Sequence, residues 1–107
     1  MVESTLVRQV PVKSVRFDTE VYKVIDYTLG DAVLSQTILY PGKNTRGHSH
    51  LNEEIYYVAS GEGQMHLGNS LRVLEVGSFI VIGSNVFHRV INTSKVSNLV
   101  FLCSWSK

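Results

Sequence analysis

The stretch from Gly42 to Gly61, GKNTRGHSHLNEEIYYVASG, decides the fold and suggests the chemistry. Its spacing is Gly42-X5-His48-X-His50-X3-Glu54-X6-Gly61. Side chains on a β-strand alternate between faces, so residues two apart share one. His48 and His50 therefore point the same way. If one strand runs from His48 to Ala59, then Glu54, Tyr56 and Val58 join that face, while Glu53, Ile55 and Tyr57 take the other. The parity selects Glu54 over Glu53 as a partner for the two imidazoles, unless a bulge near Asn52 shifts the count.

A second stretch, GSFIVIGSNVFHRVIN, runs from Gly77 to Asn92 with the spacing Gly77-X5-Gly83-X-Asn85-X2-His88-X3-Asn92. His88 lies far enough from His50 to come from a different strand. Three imidazoles and one carboxylate form a ligand set for one divalent transition metal (Fe, Mn, Ni, Co, Cu or Zn), since Ca and Mg prefer oxygen-rich shells. On tetrahedral Zn these four ligands close the site and make it structural. On a six-coordinate ion they leave about two positions for water or substrate.

The chain has 107 residues, enough for one domain (1–107) and a modest core. Hydrophobic residues make up 44% and charged residues 18%, a globular composition. Net charge is +1 and the basic residues are scattered, so no nucleic-acid footprint is expected. The longest apolar runs, Ile55 to Ala59 and Leu99 to Cys103, are too short for a membrane span. With no apolar leader and a single cysteine, Cys103, unable to form an internal disulfide, a cytoplasmic setting is expected. Cys103 sits among Leu99, Val100, Phe101 and Leu102 and reads as a small buried residue rather than a catalytic thiol.

No window carries helical periodicity. Short β-branched and aromatic runs predict strands at Leu6 to Val12 (an edge strand stopped by Pro11), Val15 to Phe17, Val21 to Tyr27 and Ala32 to Tyr40. Lys43 to Gly47 reads as a loop and His48 to Ala59 as the ligand strand. Gln64 to Leu67 and Leu71 to Val76 form a hairpin about Gly68-Asn69-Ser70. Ser78 to Ile82 reads as a fully buried strand, followed by a turn at Gly83 to Val86 and strands at His88 to Asn92 and Asn98 to Trp105. So many short strands imply an all-β antiparallel sandwich or barrel.

The two spacings resemble those of the cupin superfamily, specifically its small single-domain, conserved-barrel members. The first cupin motif, G-X5-H-X-H-X3,4-E-X6-G, is met in full. The second, G-X5-P-X-G-X2-H-X3-N, is met at Gly77, His88 and Asn92, with Gly83 in place of Pro and Asn85 in place of Gly. Gly83 still permits the turn, and Asn85 tolerates a left-handed backbone better than most residues. The resemblance implies a double-stranded β-helix, or jelly roll, of two antiparallel sheets, with His48, His50, Glu54 and His88 holding a metal in its open end. It also implies a homodimer; the strand-like residues before Phe17 would otherwise leave an exposed edge.

Other side chains are candidates for the site. Tyr56 shares the ligand face and is a candidate to touch substrate or act as a base, against the alternative of a core aromatic. Gln36 and Tyr40 share one face of their strand, but the loop after it hides which face that is. Arg46 is a candidate partner for an anionic group, or a plain surface arginine. Asn92 is expected to satisfy backbone groups, Phe87 and Arg89 to face away, and His66 to be exposed. With no second carboxylate on the ligand face, chemistry centred on the metal is favoured over an acid/base pair. The expected function is a metal-dependent enzyme acting on a small polar molecule, by oxygenation or by sugar isomerase/lyase chemistry. The alternatives are a non-catalytic carbohydrate-binding barrel and a structural metal-holding homodimer.

Overall fold

Strand formation follows the alternation of the sequence almost throughout. A computed structural model describes Val10 and residues 12–106. Every regular element there is a strand: β1 Val12–Asp18, β2 Tyr22–Leu29, β3 Ala32–Leu39, β4 Glu54–Ser60, β5 Gly63–Leu67, β6 Ser70–Leu74, β7 Phe79–Ile82, β8 His88–Asn92 and β9 Leu99–Ser106. Six form an antiparallel sheet in the order β1-β2-β3-β9-β4-β7, and three form a second in the order β6-β5-β8. This is the all-β jelly roll expected. Among the described residues no helix is long and apolar enough to cross a membrane. The expected strand at Leu6 to Val12 lies outside the described residues except for Val10 and Val12.

The sheets enclose a core built largely from alternate residues of β3, β4, β5, β8 and β9. Leu39, Tyr56, Val58, Leu99, Phe101 and Cys103 come from the larger sheet, and Met65, Leu74 and Val90 from the smaller. Each large side chain removed from water here contributes about 1.5–3 kcal/mol. The final strand shows the period most clearly, with Leu99, Phe101 and Cys103 buried and the residues between them less so.

Two strand expectations are corrected. Ser78 to Ile82 is not a fully buried strand: β7 closes one edge of the large sheet, leaving Phe79 and Val81 73% and 63% exposed while Ile82 is fully buried. An apolar run does not distinguish a buried strand from an edge strand whose outer face lacks a cover. The ligand strand is also shorter than expected. Regular pairing begins only at Glu54, and Lys43 to His48 is more than a loop. It runs antiparallel beside β8, with Thr45 N donating to Val90 O, His48 N to His88 O and His88 N to His48 O. The chain thus crosses from the small sheet to the large one between His48 and Glu54.

Turn chemistry holds the rest in place. Asn92, 2% exposed, donates its side-chain amide to the carbonyls of Leu39, Tyr40 and Ser97 and accepts from Ser94 N. It ties the end of β3 to the loop after β8, as expected of it. Asn85 adopts φ 61°, the left-handed value a glycine would take there, and its N–H donates to His50 O.

Candidate metal centre

His48 comes from the irregular strand beside β8, His88 from the start of β8, Glu54 from the start of β4 and His50 from the crossing between sheets. One donor atom from each lies within 4.8 Å of those of the other three. The ring centroids of His48 and His88 are 4.5 Å apart, those of His48 and His50 4.9 Å, and those of His50 and His88 5.1 Å. All four residues named from the motif spacing therefore converge. Glu54 is 6% exposed and faces inward with Tyr56 and Val58, while Glu53 is exposed. Glu54, the carboxylate selected by parity, is the one that joins the three imidazoles, but through the register of β4 alone, because no continuous strand joins it to His48.

The hydrogen bonds prepare the cluster for a cation. His50 Nδ1 lies 2.9 Å from Asn52 O, and His88 Nδ1 lies 3.0 Å from Val86 O. Each carbonyl accepts a proton held on Nδ1, which leaves a bare Nε2 turned to the centre. There both meet Glu54 Oε1, His50 in direct contact and His88 at 3.5 Å. Glu54 Oε1 and His88 Nε2 are buried without a hydrogen-bond partner. Lone pairs facing lone pairs in a buried site are costly unless a proton or a metal ion lies between them. The donor set thus fits a divalent transition metal.

Without a metal the protons redistribute. Burial pulls His48 below its ordinary value of 6.5, and the neighbouring His88 and His50 add to that. Burial also acts to lower His88 and to raise Glu54. The contact between the two outweighs it, so His88 rises above 6.5 and Glu54 falls below 4.5, with the Val86 carbonyl and His50 helping respectively.

The cluster lies in a cavity of about 650 Å³. Arg46 lines it and is exposed. Tyr56 forms part of its wall but belongs to the core: its ring stacks on Phe101 with centroids 5.3 Å apart and meets His88 edge-on. Burial, with Cys103 and Glu54 adding, pushes its hydroxyl well above the ordinary range, so it stays protonated and is a poor base. Gln36 and Tyr40 are not among the lining residues; Val33, Ser35, Thr37 and Leu39 take the inward face of β3, and Thr37 lines the cavity. His66 is half-buried, its strand neighbour Met65 pointing inward, and it takes no part in the cluster.

The motif spacing gave no hint of Arg16 or Trp105, which also line the cavity. Trp105 had a signal in the two-residue period of β9. Arg16 had none, because it lies at a bulge in β1: Val15 pairs with Ile25 and Phe17 with Val24, which leaves Arg16 as the extra residue.

Residues 36–105 match the cupin domain family, and the chain belongs to it. It is 30% identical over 86 residues to an uncharacterized protein of Methanocaldococcus jannaschii, an alignment covering 79% of this chain and 65% of that one. It is 37% identical over 78 residues to a glucose-6-phosphate isomerase of Thermococcus onnurineus, covering 60% of this chain and 41% of that one. The chain thus spans less than two thirds of either relative. Among solved structures, a predicted oxalate decarboxylase of Thermotoga maritima superposes with a TM-score of 0.72 at 24% identity over 79% of each chain, a likeness of fold.

Proposed function

We propose that this protein is a metal-dependent enzyme acting on a small polar molecule. The observation that carries the reading is the buried, unpartnered pair Glu54 Oε1 and His88 Nε2, set among His48 and His50 at the wall of an open cavity. A bound ion there would act as a Lewis acid on a substrate oxygen. His50 and His88 are oriented for it by the Asn52 and Val86 carbonyls. Among the described lining residues Glu54 is the one carboxylate, so no separate acid/base pair competes with metal-centred chemistry. The name of the Thermococcus relative favours isomerisation of a hydroxy-carbonyl compound over oxygenation.

A homodimer in the cytoplasm completes the reading. Val15, Ile25, Gln36, Leu102, Tyr57 and Phe79 form one cross-strand row on the outer face of the large sheet, without a charge, and Val15 and Phe79 at its ends are exposed. A second copy would cover such a face. Cys103 is a buried free thiol, in keeping with a reducing compartment.

The test is metal analysis of protein purified without a chelating tag, followed by assay with hydroxy-carbonyl sugars. About one equivalent of transition metal is expected, with metal and turnover both lost in His48→Ala while the fold persists. Full turnover in His48→Ala would refute the reading. Light scattering checks the dimer.

A further inference from the structure

Arg16 is the most heavily braced side chain on the cavity wall that the metal centre does not use. Its Nε lies 3.0 Å from Asp26 Oδ2, and its Nη2 donates to Ser35 Oγ at 3.3 Å. Ser35, fully buried, donates in turn to Asp26 Oδ1, closing a triangle across β1, β2 and β3. The guanidinium carbon also lies 5.5 Å from the Phe17 ring centre and 5.4 Å from that of Trp105.

Two of the five guanidinium N–H groups are used in this way. Both on Nη1 and one on Nη2 remain, and these form the end-on fork that matches a carboxylate or phosphate. The side chain is 44% exposed and lines the cavity that holds His48, His50, Glu54 and His88. The β1 bulge turns both Arg16 and Phe17 toward the interior, where regular alternation would have turned only one of them.

Charge points the same way. Asp26 offsets Arg16, and Glu54 offsets part of a bound divalent ion. Arg46 at the cavity wall then leaves the site positive.

We infer that Arg16 anchors an oxyanion of the substrate, a carboxylate or a phosphate, while another part of the same molecule faces the metal centre. This rests on the metal-dependent reading above and narrows its substrate to a small organic anion. Arg46 supplies charge at the wall, and the braced Arg16 supplies orientation. Trp105, the chain's single tryptophan, sits against Arg16 and reports on the occupied fork.

The test titrates malonate, inorganic phosphate and uncharged erythritol into the metal-loaded full chain, followed by calorimetry and Trp105 fluorescence. Metal content is measured in parallel. The expected result is binding of malonate or phosphate that Arg16→Gln weakens at least tenfold and Arg16→Lys restores only in part. Metal content and erythritol response should not change. The anion that loses affinity identifies the source, carboxylate or phosphate.

Equal anion affinity in the wild type and Arg16→Gln, or no anion binding by the wild type, overturns the inference. If Arg16→Gln does not fold, the guanidinium ¹⁵N resonances of Arg16 in the wild type decide: they shift on adding the bound anion, or the inference fails. A wild type that takes up no metal refutes the parent reading instead. The Arg16-dependent part of anion binding is then read separately in chelated protein.

Discussion

Replacing Glu54 by Gln tests the metal centre most directly. The side chain keeps its shape but loses its charge at a site 6% exposed, where Glu54 Oε1 meets the Nε2 atoms of both His50 and His88. Losing a group that merely orients a ligand typically costs 10–100-fold in metal affinity, so losing a ligand should cost at least about 100-fold. A metal ion at 100 times its Kd stabilises the folded state by about 2.7 kcal/mol. For a domain of this size that raises Tm by about 10 °C. At the same free metal concentration, a 100-fold weaker site retains RT ln 2, about 0.4 kcal/mol, and a rise under about 2 °C. The assay is thermal unfolding of each protein with chelator and with metal, each variant serving as its own reference. A Glu54→Gln protein that kept the wild-type rise would show that the carboxylate is not a ligand, whatever its position.

Three further outcomes are expected. In chelated protein, His88 has its pKa raised above 6.5, so its stabilising pairing with Glu54 is fully present below 6.5 and lost as pH rises through the raised value. The stability difference between wild type and His88→Gln, from urea unfolding, should therefore shrink from pH 6 to pH 9; a difference that grew would contradict the assignment. Cys103 is pushed up to about 12, chiefly by burial and then by the charge of Glu54, from an ordinary 9.0. Its thiolate at pH 8 is then about 1,000-fold scarcer than in the unfolded chain, and iodoacetamide should label it only in denaturant. Gly61 and Gly83 should respond oppositely to alanine. Gly61 has φ +91° and a Cβ there would run into Asn98 O, so Gly61→Ala should cost more than about 2 kcal/mol. Gly83 lies outside the left-handed region, and its Cβ would rest 3.4 Å from Val86 Cγ2, so Gly83→Ala should stabilise by about 0.4–1 kcal/mol in urea unfolding.

The four clustered residues were legible because their signal is local. His48 and His50 are two apart, Glu54 carries the parity of its own strand, and the glycines mark where the chain must turn. Asn85 was legible through its own φ, and Asn92 through its local bonds to Ser94 and Ser97, whereas its bonds to the Leu39 and Tyr40 carbonyls, 53 and 52 residues away, depend on the fold. Ser78 to Ile82 departs from the expected buried strand because burial of an apolar run depends on what the rest of the chain lays beside it, and here one side of β7 stays open. Gln36 and Tyr40 were ambiguous because a parity count does not survive a turn of unknown geometry; Thr37, one position along, lines the cavity instead.

The sequence by itself determined the all-β class, the family and which three imidazoles and one carboxylate form the cluster, since alternation and turn chemistry act over a few residues. Only the tertiary structure decided that His48 reaches His88 by pairing with β8, that β7 is an edge, and that a bulge aims Arg16 into the same cavity. Those outcomes depend on which strands lie side by side, and that is set by burial summed over the whole chain.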